Sequence, residues 1–536
     1  MELGGPPIAP ARSGQPADGA GAAPVRNRNL LPLRAVDVQL YRLCDEFTEV
    51  FLCLMLLFGP WAFGTTEYWS IWTMNLAGYS LGTALLIKLA LRWLKGYRPP
   101  RWVSDTPPAA ASSSKRRNSR FLTSPKITAG LATLTLVILA YTLVSALNAR
   151  ATFRPDTLSF EYDRCIRWLP HSLDSASTWF TLWTYLGLAC SFWALRDWLL
   201  GKSTGEQLAQ WQKSAAAGPD FALPLPARLR RLLWLLALNG TVLAAEAIFQ
   251  RLENSPKLLF LVTPQIHKTA DAQFGPYAYR SNGAQYFNLL WPVCLGFWWT
   301  LNRTLGHRRK THHFLLFCGV LMAACPIIST SRGGAFIAVG IALLAAFSLL
   351  ATHFLLKAQR QENARTRRIT LWALGFFFSA ALGLGFALGW KALKPRLAQI
   401  NDGLEGREEM YQIVRRMADD YPLFGTGPGT FENVSELYRP PGDSFWPAQV
   451  HNDWLETRIT FGWMGSCVIA LAFLLVLGRW FAPGGLHGGR RFMILIWLAM
   501  AGCLMHARFD FPLQIHSILF LFLTWCGVLS VLSRRP

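Results

Sequence analysis

Arg280, Arg332 and His451 stand far apart in the chain, yet each lies in a polar stretch between apolar runs. Arg280 belongs to Phe274-Gly275-Pro276-Tyr277-Ala278-Tyr279-Arg280-Ser281-Asn282-Gly283, and Arg332 to Ser329-Thr330-Ser331-Arg332-Gly333-Gly334. His451 opens His451-Asn452-Asp453-Trp454-Leu455-Glu456. Arginine is permanently charged, and its forked donors match phosphate oxygens. Histidine titrates near neutrality and can take a proton from an attacking hydroxyl. Two arginines and a histidine at one membrane face suit a lipid diphosphate head group. As a diphosphate leaves an anomeric carbon, the carbon gains positive charge, by analogy with glycoside hydrolysis. Fixed cations then stabilise the leaving group. The activated donor supplies the driving force, so neither nucleotide nor cofactor is expected. There is no Walker motif and no acidic metal cluster; Asp419-Asp420 is an adjacent pair at a helix end. A metal-free mechanism follows as the simpler expectation.

Each residue also has a plainer reading. Arg332 could snorkel at the bilayer boundary, Arg280 could be a loop charge, and His451 is one of 10 histidines. Asp453 and Glu456 suit a helix N-terminus. The glycines of Pro422-Leu423-Phe424-Gly425-Thr426-Gly427-Pro428-Gly429-Thr430-Phe431 suit a tight turn. They do not form a phosphate-binding loop, because no Gly-Lys-Ser/Thr follows. The case for chemistry rests on the three groups sharing one face.

The elements that would bring them together are membrane spans. Of 536 residues, 52% are hydrophobic and only 16% charged, with 23 Trp and 35 Phe; soluble chains are about a quarter charged. About twelve apolar runs reach membrane-crossing length. They are Phe47–Phe63, Ile71–Leu91, Ile127–Leu147, Trp179–Leu195, Leu232–Ile248, Ala284–Leu301, Phe314–Ile328, Gly334–Leu355, Leu371–Leu388, Phe461–Leu477, Phe492–Met505 and Ile515–Leu532. The fold class is therefore an all-α polytopic membrane protein, with a long periplasmic loop between the ninth and tenth spans.

The net charge of +22 does not indicate nucleic acid. The basic residues cluster in alternate connections: Lys95–Arg120, Arg228–Arg231, Arg303–Lys310, Lys357–Arg368, Arg490-Arg491 and Arg534-Arg535. The positive-inside rule places these, and both termini, in the cytoplasm. Arg280, Arg332 and His451 then face the periplasm or cell exterior. Four regions result: a disordered cytoplasmic tail (1–46), spans one to nine with flexible loops at Pro99–Ser124 and Gly201–Pro226 (47–388), a large periplasmic catalytic loop (389–460), and spans ten to twelve (461–536). No cleavable signal peptide is visible. The 10 cysteines show no metal spacing and no disulfide framework. Within the long loop, Gly406–Asp420 has helical periodicity, with Met410, Val414 and Met417 on one face.

These motifs resemble the O-antigen ligase/polymerase superfamily of bacterial inner-membrane proteins. The strongest likeness is the glycine loop from Tyr421 to Phe431, followed by His451–Glu456 and Gly462-Trp463-Met464-Gly465. Thr330–Gly334 is similar to the family's Ser-Arg-Gly turn, Phe274–Pro292 to its arginine-bearing approach to a span, and Asp510-Phe511-Pro512-Leu513-Gln514 to its segment before the last span. The likeness runs from Phe274 to the C-terminus. Two departures stand out. Ser281-Asn282 replace the Asn-His that follows the first arginine in many members. Thr460 stands where many carry a Glu, leaving Asp453 or Glu456 to orient the histidine.

The resemblance implies a metal-independent glycosyltransferase that moves a glycan from undecaprenyl diphosphate to an acceptor hydroxyl. The acceptor would be lipid A–core, another glycan or a protein. His451 would be the general base, and Arg280 and Arg332 would bind the diphosphate. Asn452, Asp453, Glu456, Gly427 and Gly429 would support them. An O-antigen or exopolysaccharide polymerase is the alternative within the family. A non-enzymatic polysaccharide exporter or flippase is the alternative outside it, but a transporter tends to place ionisable groups near mid-membrane.

Overall fold

The computed structural model describes residues 31–102, 124–208, 225–266, 268–305, 311–355, 364–440, 448–480 and 490–532. The tail before residue 31, most of the two loops expected to be flexible, and the turn-rich Asp443–Pro447 lie outside the described residues.

Every expected span falls on a helix. The helices are α1 (Ala35–Trp61), α2 (Tyr68–Leu94), α3 (Ser124–Leu147), α4 (Ser175–Leu200), α5 (Ala227–Leu252), α6 (Arg280–Leu305), α7 (Phe314–Ile328), α8 (Arg332–Leu355), α9 (Ala364–Ala398), α10 (Ile400–Asp420), α11 (Phe431–Ser435), α12 (Asp453–Trp480), α13 (Arg490–His506) and α14 (His516–Leu532). Among the described residues, seven helices are long and apolar enough to cross a membrane, and α13 and α14 hold shorter apolar segments. The sheet among them is one antiparallel hairpin, β1 (Ala151–Arg154) with β2 (Ser159–Tyr162). All 10 cysteines are free. The protein is an all-α polytopic membrane protein.

Helix α1 begins at Ala35, inside the stretch expected to be a disordered tail. Its start is capped where Asp37 accepts from the Arg34 amide at 2.8 Å. Its first turns pack Tyr41 and Cys44 inward and deliver Asp45 to a buried ion network. There Lys88, 1% exposed, lies 2.7 Å from Asp45 and 2.9 Å from Asp197. Arg92 and Arg101 reach Asp197 at 2.7 and 2.6 Å, and Arg228 reaches Asp45. A buried cation needs such partners, since each unpaired one would cost several kcal/mol. This end of α1, α2, α4 and α5 is thereby tied together.

At the other end, the segment expected as one long loop is mostly helical. Helix α9 runs on past Leu388 to Ala398, where Leu393 packs against Ile327 and Ala335. Helix α10 then buries Met410, Val414 and Met417, as their shared face predicts, with Leu173, Phe431, Val434, Val450 and Ile459. This small apolar core seats the polar stretch on the bundle.

The glycine loop docks on the start of α4. Gly427 has φ +111, and a Cβ there would lie 2.6 Å from Ser172 Oγ. Gly429 has φ +77, and its Cβ would meet Thr181 Oγ1 at 2.1 Å. The Gly427 amide donates to the Thr460 carbonyl at 3.0 Å, so it is spent on the fold. Gly427→Ala is expected to lose about 1–3 kcal/mol of stability through strain and the clash, read as a lower Tm in detergent. Gly406→Ala is the control: its Cβ would meet nothing within 4 Å, and a helical alanine is favoured over glycine.

Candidate active site

His451 sits just before α12 in a left-handed conformation, with φ 55°, which is uncommon for a side chain of this kind. The neighbouring residues hold it there. Tyr411 of α10 donates to the His451 carbonyl at 2.8 Å. Asn452 Oδ1 accepts from the Leu455 amide at 3.1 Å and so caps α12. Glu456 accepts from the Val450 amide at 3.1 Å. Asp453 accepts from the Leu513 amide at 2.8 Å, and its own amide donates to the Ala507 carbonyl at 2.8 Å. These three supporting residues therefore fix backbone.

This corrects the expectation that Asp453 or Glu456 orients the histidine. The carboxylate at the ring is Asp510, from the connection between α13 and α14: His451 Nδ1 lies 3.0 Å from Asp510 Oδ1. Asp453, by tying α12 to residues 507 and 513, holds that connection in place. Thr460, where a Glu is usual, turns its hydroxyl back to the Glu456 carbonyl at 2.8 Å. The orienting charge has come from a different element.

The pair is enclosed on one side. The His451 ring meets the faces of Phe511 at 4.8 Å and Tyr279 at 5.8 Å edgewise, and those two rings stack at 5.4 Å. Asp510, 3% exposed, also accepts from Ser281 Oγ at 2.6 Å and Tyr279 OH at 3.3 Å. Arg407 of α10 approaches it to 3.9 Å and donates to the Phe509 carbonyl. Burial opposes the charge on Asp510, but the hydrogen bond from His451 and the nearby His451, His506 and Arg407 side chains outweigh it. They hold the carboxyl well below the usual carboxylate range. Because the carboxylate accepts, Nδ1 carries the ring proton and Nε2 keeps its lone pair. Among the described residues Nε2 makes no hydrogen bond, and the side chain is 25% exposed. An imidazole arranged in this way is built to accept a proton.

Arg280 and Arg332 are the first residues of α6 and α8. The two helix starts touch, with Ser281 Oγ and Ser331 Oγ 3.1 Å apart. Arg332 donates to the Gln399 carbonyl at 2.7 Å. Arg280 donates to the Asp271 carbonyl at 2.6 Å and lies 3.6 Å from its carboxylate, which Arg396 approaches to 3.5 Å. The residue before Arg332 connects to the His451 neighbourhood: Ser331 Oγ meets Ser281 Oγ, which donates to Asp510 at 2.6 Å. The structure sets Arg280 beside Arg396, around an Asp271 that is 65% exposed. Gly427 and Gly429 lie against Ser172 and the start of α4, their nearest neighbours being Ser172, Ser177 and Thr181.

Sequence reasoning missed Asp510, Arg407 and Arg396 as site residues. Asp510 had a signal, its place in a family-like segment before the last span. Arg407 lies off the apolar face of Met410, Val414 and Met417, where helical periodicity alone assigns it no partner. Among the described residues, no three His, Cys, Asp or Glu side chains gather in a way that could hold a metal ion.

Fold and site together define a multi-pass membrane protein with a carboxylate-oriented histidine and an arginine-rich surround at one end of its helices. Residues 317–470 match the family model described as O-antigen ligase, and this match supports the O-antigen ligase/polymerase superfamily. The matched segment runs from α7 into α12 and contains Arg332, the glycine loop and His451; Arg280 and Asp510 lie outside it. No curated protein matches the chain. The family carries an enzyme class, ligase or polymerase, with lipid-linked glycan and acceptor substrates in a bacterial membrane.

Proposed function

We propose that the protein transfers a glycan from undecaprenyl diphosphate to an acceptor hydroxyl at the periplasmic face of the inner membrane, without a metal ion. The observation that carries this reading is the hydrogen bond of His451 Nδ1 to Asp510 at 3.0 Å. It leaves Nε2 to take the proton of the acceptor hydroxyl. The hydroxyl oxygen attacks the anomeric carbon, the bond from that carbon to the diphosphate oxygen breaks, and the electron pair leaves with the diphosphate. Asp510 stabilises the imidazolium that forms.

Arg280 and Arg332 bind the diphosphate, and the starts of α6 and α8 add to them, because helix N-termini favour anions. The Asp271 beside Arg280 is an exposed partner and holds it weakly, so a multiply charged diphosphate displaces it. The positive-inside rule supports the periplasmic placement, with Arg228, Arg230 and Arg231 at the start of α5 on the cytoplasmic side. The end of that helix reaches the active-site side, where Arg251 donates to the Gln273 and Ser329 carbonyls at 2.8 and 3.2 Å.

Arg332→Lys keeps the charge and loses the fork. It is expected to raise KM for the lipid-linked donor about tenfold with a smaller change in kcat, measured with purified protein in liposomes. Glycan analysis of a deletion strain tests the reaction itself. Accumulated full-length lipid-linked polymer identifies a ligase, and accumulated single repeats a polymerase. A strain with unchanged lipid-linked glycans would contradict both.

A further inference from the structure

Ser281 stands at a position where this chain departs from the Asn-His pattern, and it touches three groups at once. Its Oγ lies 2.6 Å from Asp510 Oδ2, 3.0 Å from His506 Nε2 and 3.1 Å from Ser331 Oγ. His506, the last residue of α13, is 1% exposed, and its Nδ1 lies 2.9 Å from Gln285 Oε1 one turn along α6 from Ser281. A polar thread thus runs from His451 through Asp510, Ser281 and His506 to Gln285, crossing from the start of α12 to the interior of α6. Such a buried thread is expensive unless each member is satisfied.

We propose that Ser281 and His506 are positioning residues for the His451–Asp510 pair: they occupy one carboxylate oxygen so that the other stays on the histidine ring. This rests on the reading of His451 as the base. The proton inventory supports it. Serine has a single proton to give, and the anionic carboxylate is the stronger acceptor, so that proton goes to Asp510 Oδ2. Ser281 Oγ must then accept from His506, which fixes the proton on His506 Nε2. His506 Nδ1 is then an acceptor, and the Gln285 amide, turned so that its –NH2 group faces the ring, donates to it from the far side. The start of α8 packs closely on the His506 ring: a Cβ added at Gly333 would lie 3.0 Å from His506 Nε2.

Without Ser281, the replacement donors are His506 Nε2 and Arg407 Nη2, both 3.9 Å from Asp510 Oδ2. Closing that gap draws the carboxylate away from His451. The other charged or titratable groups facing Asp510 are Arg407 from α10 and Tyr279 ahead of α6. Tyr279 does not replace the lost contact, since it already donates to the same oxygen, and Arg407, held at the Phe509 carbonyl by Nη1, brings Nη2 up only by closing the same gap.

The test is a mutant cycle on purified protein in liposomes, with a polyprenyl-diphosphate-linked oligosaccharide as donor. Ser281→Ala is expected to lower kcat on the order of tenfold, as a small misplacement of a catalytic group does, with KM for the donor unchanged. Ser281→Thr, which keeps the hydroxyl, recovers most of the rate. In an Asp510→Asn background, Ser281→Ala costs less than about twofold more, because residues acting through one another are not additive. His506→Gln, which keeps a donor, stays closer to wild type than His506→Phe.

Unchanged kcat in Ser281→Ala overturns the inference, as does a full additional loss in the Asp510→Asn background. Unchanged kcat in Asp510→Asn overturns the base assignment itself, so the two failures are told apart. If His506→Phe does not fold, the Ser281 arm decides alone.

Discussion

His451→Ala is expected to lower glycan transfer by on the order of 10²–10⁴-fold, with folded protein still in the membrane. The ring is at the edge of the fold, and its main partners survive its loss. Asp510 keeps Ser281, Tyr279 and its own neighbour's amide, since Phe511 N donates to Oδ1 at 3.1 Å. The backbone at φ 55° is held by the Tyr411 contact to the carbonyl, which alanine retains. The loss should therefore appear in kcat, while donor binding through the arginines persists. Transfer assays paired with donor-binding measurements separate the two. A variant that loses binding instead would make His451 a recognition group.

Asp510→Asn is expected to be almost as severe, on the order of 10³-fold in kcat. The amide is nearly the same size, so the packing around it is kept. Its –NH2 group can donate to Nδ1, which favours the ring tautomer with the proton on Nε2 and removes the base. Where the amide oxygen faces the ring instead, the imidazolium formed in the reaction loses its compensating charge. The substitution also has a stability signature. The folded Asp510 carboxyl is held below its ordinary value, so its charge contributes stability above the ordinary carboxylate range. That contribution fades as pH falls through the depressed value. The wild type should exceed Asp510→Asn in Tm at neutral pH, and the two should converge in strong acid. A constant difference across that range would mean that the charge contributes nothing.

The helices were legible in the sequence because an apolar run long enough to cross a bilayer must satisfy its backbone internally, and a helix does so within one segment. Each of the twelve runs falls on a helix, although α1 starts at Ala35 and α9 ends at Ala398, beyond the apolar residues. Those extensions are polar at their ends and are stabilised by contacts that a hydropathy window does not see, such as Asp45 with Lys88 and Leu393 with Ile327. His451 was legible from its setting, a histidine at the start of a helix beside a glycine turn.

Its partner was not legible. Asp510 is 59 residues away along the chain, and its place in a family-like segment does not single it out over Asp453, which is only two residues away and proves to brace the backbone. Side-chain pairing across elements depends on the packing of α13 and α14 against α12. Arg407 was hidden for a similar reason: periodicity assigns it to a face, but the connection bearing Phe509 covers that face. Arg280 and Arg332 were placed at one side by topology, and both prove to begin helices whose starts touch.

The central claim is that His451 is the base for transfer from a lipid diphosphate. The most direct measurement is in reconstituted liposomes with chelator present. It follows the loss of polyprenyl-diphosphate-linked glycan and the appearance of glycosylated acceptor, for wild type and His451→Ala. Wild type should convert donor to product and release the lipid diphosphate, and His451→Ala should bind the donor and leave it intact. Transfer by His451→Ala within about threefold of wild type, well short of the loss expected for a general base, would contradict the assignment.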